Sequence, residues 1–329
     1  MLPAFAYARP SSLKQAAELL QSQGSQALAG GTDLLGCLRE EIFKPDRLVS
    51  LGGLEGELRG ISRGSDGGLS IGPLTTISEI ASHPEILKRA PAMAQAASEV
   101  GSPQLRNQGT LGGNLCQKPR CWYYRTDFDC LRKGGHRCFA LGGEDHYHCI
   151  LGGRACYIVH PSDTAPALAA LGGVVRLEGP SQSRTIPIKN LHMDPAQDPT
   201  RETVLEPGEF ISRIHLPQQP DGTYSAYRKV RARRSWDFAL AGAAVVLEMQ
   251  GGTVNRASVY LSGAAPYPWH ASDVEEAITG RKLDQQTIEA AAEAVVRKAR
   301  PLTHNGYKIP LFKGVIRQEL EKAAAWSGY

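Results

Sequence analysis

The sequence predicts an α+β protein in two parts, and three observations carry that prediction. Short apolar runs alternate with capped helices through the early part of the chain. Four strand-like runs, "FISRIHLP", "YSAYRKVR", "LAGAAVVLEM" and "VNRASVYLSG", later follow one another closely. Helical patterns around 272–279, 286–299 and 310–326 then close the chain, and strands followed by helices read as an antiparallel sheet with a helical cover. The polar, proline-bearing and aperiodic stretch 194–209, "DPAQDPTRETVLEPGE", reads as the link between the parts. A boundary just before it gives one domain over 1–190 and a second over 191–329.

Each element has its own signal. Ser12 with Gln15 gives a capping-box pattern opening the helix "LKQAAELLQSQ". Ala27–Ala29 read as a short apolar strand, Gly30 and Gly31 as a turn, and a helix starts near Thr32. "LRGISRGSDGGLSIGPLTTISEI" reads as a hairpin-like pair of strands, then a helix at Thr76 with Glu79 completing a second capping box. "APAMAQAASEVGS" is a further helix ending at Gly101, and the glycine-rich "LRNQGTLGGNLCQ" follows. After Cys156, "YIVHPSDTAPALAALGGVVRLEG" alternates strand, short helix and strand. No fixed-period repeat is present.

Composition narrows the class. Of 329 residues 42% are apolar and 21% charged, a soluble globular profile. The formal charge of +4 argues against nucleic acid as a partner. No window offers the roughly 18 uninterrupted apolar residues of a membrane span. "MLPAFAYARPSSLKQAAELL" lacks the basic, apolar and cleavage regions of a signal peptide. The expected compartment is the cytoplasm, or the periplasm if the folded chain is exported on a partner's signal.

Six of the seven cysteines, Cys116, Cys121, Cys130, Cys138, Cys149 and Cys156, fall within residues 116–156. A disulfide framework spreads thiols through a short secreted chain, so a cluster in a long one points to metal or redox work. The spacings of 5, 9, 8, 11 and 7 residues contain no zinc knuckle. Nearby His136, His146, His148 and His160 keep a mixed zinc site open. Four thiolates on a long loop suit a [4Fe–4S] cluster, and spacing alone leaves both readings standing.

Two glycine loops, "AGGTDLL" and "TLGGN", place backbone N–H groups where a strand or loop turns into a helix, which suits phosphate. A tight turn with no ligand fits the same residues. Neither loop has the spacing of a Rossmann fingerprint or a P-loop, and two of them about 80 residues apart fit one elongated dinucleotide held from two sides. The tract "YRKVRARRSW" reads either as a solvated edge strand or as a face turned to a cofactor or acidic partner.

Four stretches in this order, "AGGTDLL", "GSPQLRNQGTLGGNLCQ", "HPSDTAPALAALGG" and "YRKVRARRSWDFAL", resemble the FAD-binding subunit of the molybdenum hydroxylases, the xanthine dehydrogenase and aldehyde oxidoreductase family. The resemblance covers essentially the whole chain. It implies a two-subdomain PCMH-type FAD-binding domain, then a C-terminal domain like that of the carbon monoxide dehydrogenase flavoprotein. The cysteine segment, inserted between "GGN" and "PSD", is similar to that of the subset with an extra [4Fe–4S] cluster, the periplasmic-type aldehyde oxidoreductases and 4-hydroxybenzoyl-CoA reductase.

By that resemblance, Ala27, Leu28, Ala29, Gly30, Gly31, Thr32, Asp33 and Leu34 wrap the FAD diphosphate. Thr110, Leu111, Gly112, Gly113 and Asn114 form a second grip, with Asp163, Ile211 and Lys229 at the flavin. Cys121, Cys130, Cys138 and Cys156 ligate the cluster, and Cys116 and Cys149 stand outside the set. The implied function is electron transfer to an external acceptor. The implied partners are a small subunit with [2Fe–2S] clusters and a large molybdenum-cofactor subunit that oxidises the substrate. The rival reading from the residues is a zinc-stapled binding module whose glycine loops are only structural.

Overall fold

The fold is taken from a computed structural model that describes residues 2–326. Three short parallel strands come first: β1 (Ala6–Ala8), β2 (Ser25–Leu28) and β3 (Arg47–Ser50), in the order β1-β3-β2. Parallel neighbours need crossovers, and the helices Leu13–Gln21 and Leu34–Arg39 supply them. Ser12 accepts from the Gln15 N–H at 3.2 Å, as the capping pattern predicts. The Gln15 side chain returns to the N–H of Ser11 rather than of Ser12. Ala16, Ala17 and Leu20 of that first helix pack with Val49, Leu51 and Leu58 in a small core of their own.

The second sheet is antiparallel and has five strands: β4 (Ile61–Arg63), β5 (Leu69–Ile71), β6 (Val174–Glu178), β7 (Ser183–Pro187) and β8 (Phe210–Leu216), ordered β4-β5-β8-β6-β7. β4 and β5 are the expected hairpin, and Thr76 with Glu79 makes the expected capping box. The helices Pro91–Ser98 and Thr164–Ala170 cover this sheet through Met93, Ala97, Leu168 and neighbours.

The third sheet is also antiparallel: β9 (Thr223–Val230), β10 (Ala241–Gln250), β11 (Thr253–Ser262) and β12 (Trp269–His270), ordered β12-β11-β10-β9. Along β10, Ala243, Val245 and Leu247 face the closing helices Ser272–Ile278, Gln285–Ala294 and Lys308–Ala324. Ala244 and Val246 face the core of the second sheet. Both faces are covered, so "LAGAAVVLEM" is apolar throughout instead of alternating.

β8 corrects one expectation. The run "FISRIHLP" was expected among the C-terminal strands, beyond a boundary at 190/191. It pairs instead with β5 and β6, Ile214 opposite both Ile71 and Val175. The polar stretch 194–209 is therefore a loop within the first domain, returning the chain to its sheet. Tyr157–His160, expected as a strand, has no regular structure and belongs to none of the three sheets. No helix among the described residues is long and apolar enough to cross a membrane.

Candidate functional site

The turn after β2 meets the loop before Thr110 edge to edge. Gln108 Nε2 donates to the Gly30 carbonyl at 3.2 Å. A Cβ on Gly30 would lie 2.1 Å from the Gln108 carbonyl oxygen, so contact between the two loops already requires glycine there. Gly31 sits at φ +72°, the left-handed region open to glycine. The chain then enters the helix Leu34–Arg39, and the N–H groups of Gly30, Gly31, Thr32, Asp33 and Leu34 find no acceptor among the described residues. Successive free N–H groups make an anion-binding nest, and this one opens on a cavity of about 670 Å³.

Ala27, Ala29, Gly30, Gly31, Thr32, Asp33 and Leu34 line that cavity, as do Thr110, Gly112, Gly113 and Ile211. A second cavity of about 270 Å³ carries Asn114 and Asp163 and shares Thr32, Asp33, Thr110, Gly113 and Gln117 with the first. The two make one elongated groove pinched between the loops, a shape suited to a dinucleotide. The second loop differs from the first in chemistry. Its N–H groups are spent internally: Leu111 on the Thr75 carbonyl, Gly112 on Pro73, Gly113 on the Thr110 hydroxyl and Asn114 on the Thr110 carbonyl. It offers a surface and a hydroxyl, not a nest.

Three of the expected flavin residues stand away from the groove. Leu28 and Leu111 line neither cavity, and Leu111 is fully buried in the core. Lys229 lies behind Asp163, its Nζ donating to Asp163 Oδ2 at 2.7 Å and to the Glu99 carbonyl at 3.0 Å. Tyr227 donates to the other carboxylate oxygen at 2.7 Å, and Ser262 hydrogen bonds to Tyr227 at 2.8 Å. Burial pushes the Tyr227 phenol well up, so it remains a donor. Asp163 is thereby held rigid and charge-balanced at the groove wall. Tyr227 and Ser262 were not foreseen, because their role rests on strand register across the third sheet.

Asp33 also does something the sequence did not announce. It accepts from the Lys118 N–H at 2.7 Å and pairs with Arg120 and Arg125, each at 2.8 Å. The nest is thus tied to the first turns of the cysteine segment. A second tie comes from the loop 194–209, where Glu202 pairs with Lys118 and with the buried Arg132. Asn114 closes a third, accepting from Ser162 at 2.5 Å and Thr164 at 2.7 Å.

Within the segment, Cys121, Cys130, Cys138 and Cys156 wall one small space together with His148, Tyr124 and Phe139. None of the seven cysteines of the chain is in a disulfide. Cys138 is lowered to about 6, first by a hydrogen bond from Cys156, and Cys156 is raised by the same bond. Burial holds Cys121 up at about 11, and His148 Nε2 lies 3.3 Å from its sulfur. Burial also lowers His148 to about 4, so the ring is neutral. Cys149 is buried outside this space and raised to about 12 by burial; its N–H serves Tyr157, and its carbonyl accepts from Asn305. Cys116 lines the large groove instead.

The donor set suits a thiolate-bound centre. The space holds only about 10 Å³, so a four-iron body requires its walls to yield. The stretch carrying Cys130 and Cys138 has little regular structure to resist that, only the three-residue turn Leu131–Lys133 and an isolated bridge between Cys130 and Arg137. A third cavity of about 160 Å³ touches Cys121 and His148 at one end and Asp163 at the other, joining the thiol space to the groove.

Comparison with known proteins agrees with this geometry. Residues 3–219 match the FAD binding domain in molybdopterin dehydrogenase, and residues 225–322 match the carbon monoxide dehydrogenase flavoprotein C-terminal domain. The chain is 33% identical to the aldehyde oxidoreductase FAD-binding subunit PaoB of Escherichia coli, over 98% of this chain and 99% of that one. It is 28% identical to the carbon monoxide dehydrogenase medium chain of Hydrogenophaga pseudoflava, over 99% and 98%. The solved carbon monoxide dehydrogenase from that organism superposes with a TM-score of 0.79 at 27% identity, covering 99% of both chains. The groove, the two matched domains and these full-length relatives together place the chain in the family of FAD-binding medium subunits of the molybdenum hydroxylases, the flavoprotein component of an oxidoreductase.

Proposed function

We propose that this flavoprotein subunit also holds a [4Fe–4S] cluster on Cys121, Cys130, Cys138 and Cys156, and passes electrons between iron–sulfur centres and an external acceptor. The observation that carries this is the convergence of those four thiols, with neither Cys116 nor Cys149, on one small space. A single zinc ion would require the walls to move as well. Zinc holds sulfur at about 2.3 Å, which brings its ligands well inside 4.8 Å of one another. No three thiols among the described residues are that close.

When bound, the cluster supplies one-electron exchange and the flavin converts between one- and two-electron steps; the chain supplies position. The nest of N–H groups at 30–34 serves the diphosphate, Ile211 gives an apolar wall, and Asp163 presents a fixed carboxylate at the flavin end. Cys121 borders both the thiol space and the cavity that reaches Asp163. Cys156 leads through residues 157–160 to the same aspartate. A short covalent and packed path therefore joins the two sites.

We assign substrate oxidation to a large molybdenum-cofactor subunit, and delivery of electrons to this chain to a small [2Fe–2S] subunit. The relatives' designations as a subunit of an aldehyde oxidoreductase, a medium chain of a carbon monoxide dehydrogenase and a medium subunit of a nicotine 6-hydroxylase support a heteromeric setting. Iron and acid-labile sulfide counts on purified variants test the ligand set. Cys156→Ser should lose an iron or the whole cluster, while Cys149→Ser should stay near wild type. The reverse pattern means that the other thiol is the ligand, and zinc in place of iron in the wild-type chain sinks the cluster itself.

A further inference from the structure

We propose that Glu144, His146 and His304 form a surface site for a divalent transition cation of the Zn²⁺ class, which pins the cysteine segment to the C-terminal domain. Each of the three offers one donor atom, and these atoms all lie within 4.8 Å of one another. Glu144 and His146 come from the cysteine segment; His304 comes from the loop before the helix Lys308–Ala324. The site is independent of the four-thiol space and of anything the groove holds.

The donor types select the ion. Two imidazoles and a carboxylate suit Zn²⁺, Cu²⁺ or Ni²⁺, whereas Mg²⁺ and Ca²⁺ prefer all-oxygen shells. Three protein ligands leave a further position for water. The side chains are exposed, His146 49%, Glu144 67% and His304 42%, so the ion has direct access. The His146 and His304 rings already stand side by side, centroids 5.0 Å apart and planes within 10°.

What distinguishes this trio from a chance surface cluster is the frame beneath it. Asp145 is fully buried and accepts from the N–H of His304 at 2.8 Å and of Thr303 at 3.0 Å. Tyr307 donates to the His146 carbonyl at 2.9 Å, and Asn305 donates to the carbonyls of His148 and Cys149, both at 3.1 Å. These bonds fix the two backbones that carry the histidines before any ion arrives, which lowers the ordering cost of binding. The Asp145 carboxylate also lies 3.6 Å from His304 Nδ1. An ion held at Nε2 would have that carboxylate behind the ring, as in many metal-bound histidines. An ion there would fix the stretch 144–149, and with it His148 beside the Cys121 sulfur.

The test uses the full chain as purified, with iron content measured and loose metal removed by dialysis against a chelator. Zn²⁺ is titrated by calorimetry into wild type, His146→Ala, His304→Ala and, as a control, His270→Ala, whose histidine also faces a carboxylate. The expected result is one Zn²⁺ per chain in wild type and in the control. Binding should be about tenfold or more weaker in each site variant. Zinc-edge absorption should show a nitrogen and oxygen shell at about 2.0–2.1 Å. Equal affinity across all four proteins, no saturable binding in wild type, or a sulfur shell at about 2.3 Å would each overturn the proposal.

Discussion

Gly113 separates the two reasons a glycine can be needed. A Cβ on Gly30 collides with the neighbouring loop's backbone, whereas a Cβ on Gly113 meets only the Thr110 hydroxyl, at 3.0 Å, and otherwise enters the groove. Gly113→Val should therefore keep its fold, with a melting temperature near wild type for the flavin-free chain, and lose most bound FAD after gel filtration. Full flavin retention would show that the groove's pinch lies elsewhere. Lys308 poses a different residue-scale question. It is fully buried, donating to the Gly263 carbonyl at 2.8 Å and the Tyr147 carbonyl at 3.3 Å, and burial lowers it from 10.5 to about 8. Between pH 8 and 10.5 the unfolded chain binds more protons at this group than the folded one, so its contribution to stability rises with pH there. The burial penalty, on the order of 3 kcal/mol, is present below pH 8 and relieved above it. Denaturant unfolding at pH 7.5 and pH 10 should show a smaller rise with pH for Lys308→Met than for wild type. Identical slopes would mean that the ammonium is well solvated.

At the scale of elements, the sequence reveals what is local. The Thr76 capping box, the Ser12 cap, the β4–β5 hairpin and the three closing helices are all set by neighbours within a few residues, and each forms near where its signal predicts, although the second closing helix ends at Ala294 rather than at 299. The sheet that takes β8, and the parallel pairing of β1 and β3, depend on partners far along the chain, and no periodicity encodes that choice. The loop 194–209 shows the same limit in the site. Its composition reads as a linker, yet Glu202 reaches the side chain of Arg132, which is only 2% exposed. Nothing in a polar run marks one glutamate as the anchor of a segment 70 residues away. Removing that carboxylate leaves a buried guanidinium with too few acceptors, a large cost confined to the elements it joins. Glu202→Gln should speed tryptic cleavage at Lys133 and Arg137 several-fold while the third sheet keeps its protection. Unchanged cleavage would make the pair dispensable to the segment.

For the whole molecule, the contact that matters most is the one made across its two domains at Asp163. The residue starts a helix of the first domain, while Tyr227, Lys229 and Ser262, which fix it, belong to strands of the third sheet. The four-motif order made the aspartate and the lysine legible as site residues. That they form one buried pair, with the lysine behind and the carboxylate in front, needed the packing of Ala244 and Val246 against the first domain's core. The Lys229 and Asp163 side chains are 1% and 5% exposed. Deleting one partner of such a pair costs about 3–5 kcal/mol, because the other charge stays buried without its counterpart. Lys229→Met should therefore destabilise the flavin-free chain by roughly 3 kcal/mol and loosen both domains together. Adding Asp163→Asn should restore much of that stability, since the orphaned charge is gone and Tyr227 can still donate. FAD retention should stay low in the double variant, because the fixed carboxylate at the groove wall has not returned. Denaturant midpoints and flavin content on the two variants separate the outcomes. A single variant within 1 kcal/mol of wild type, or a double variant less stable than the single one, would show that the domains are held together by apolar packing alone.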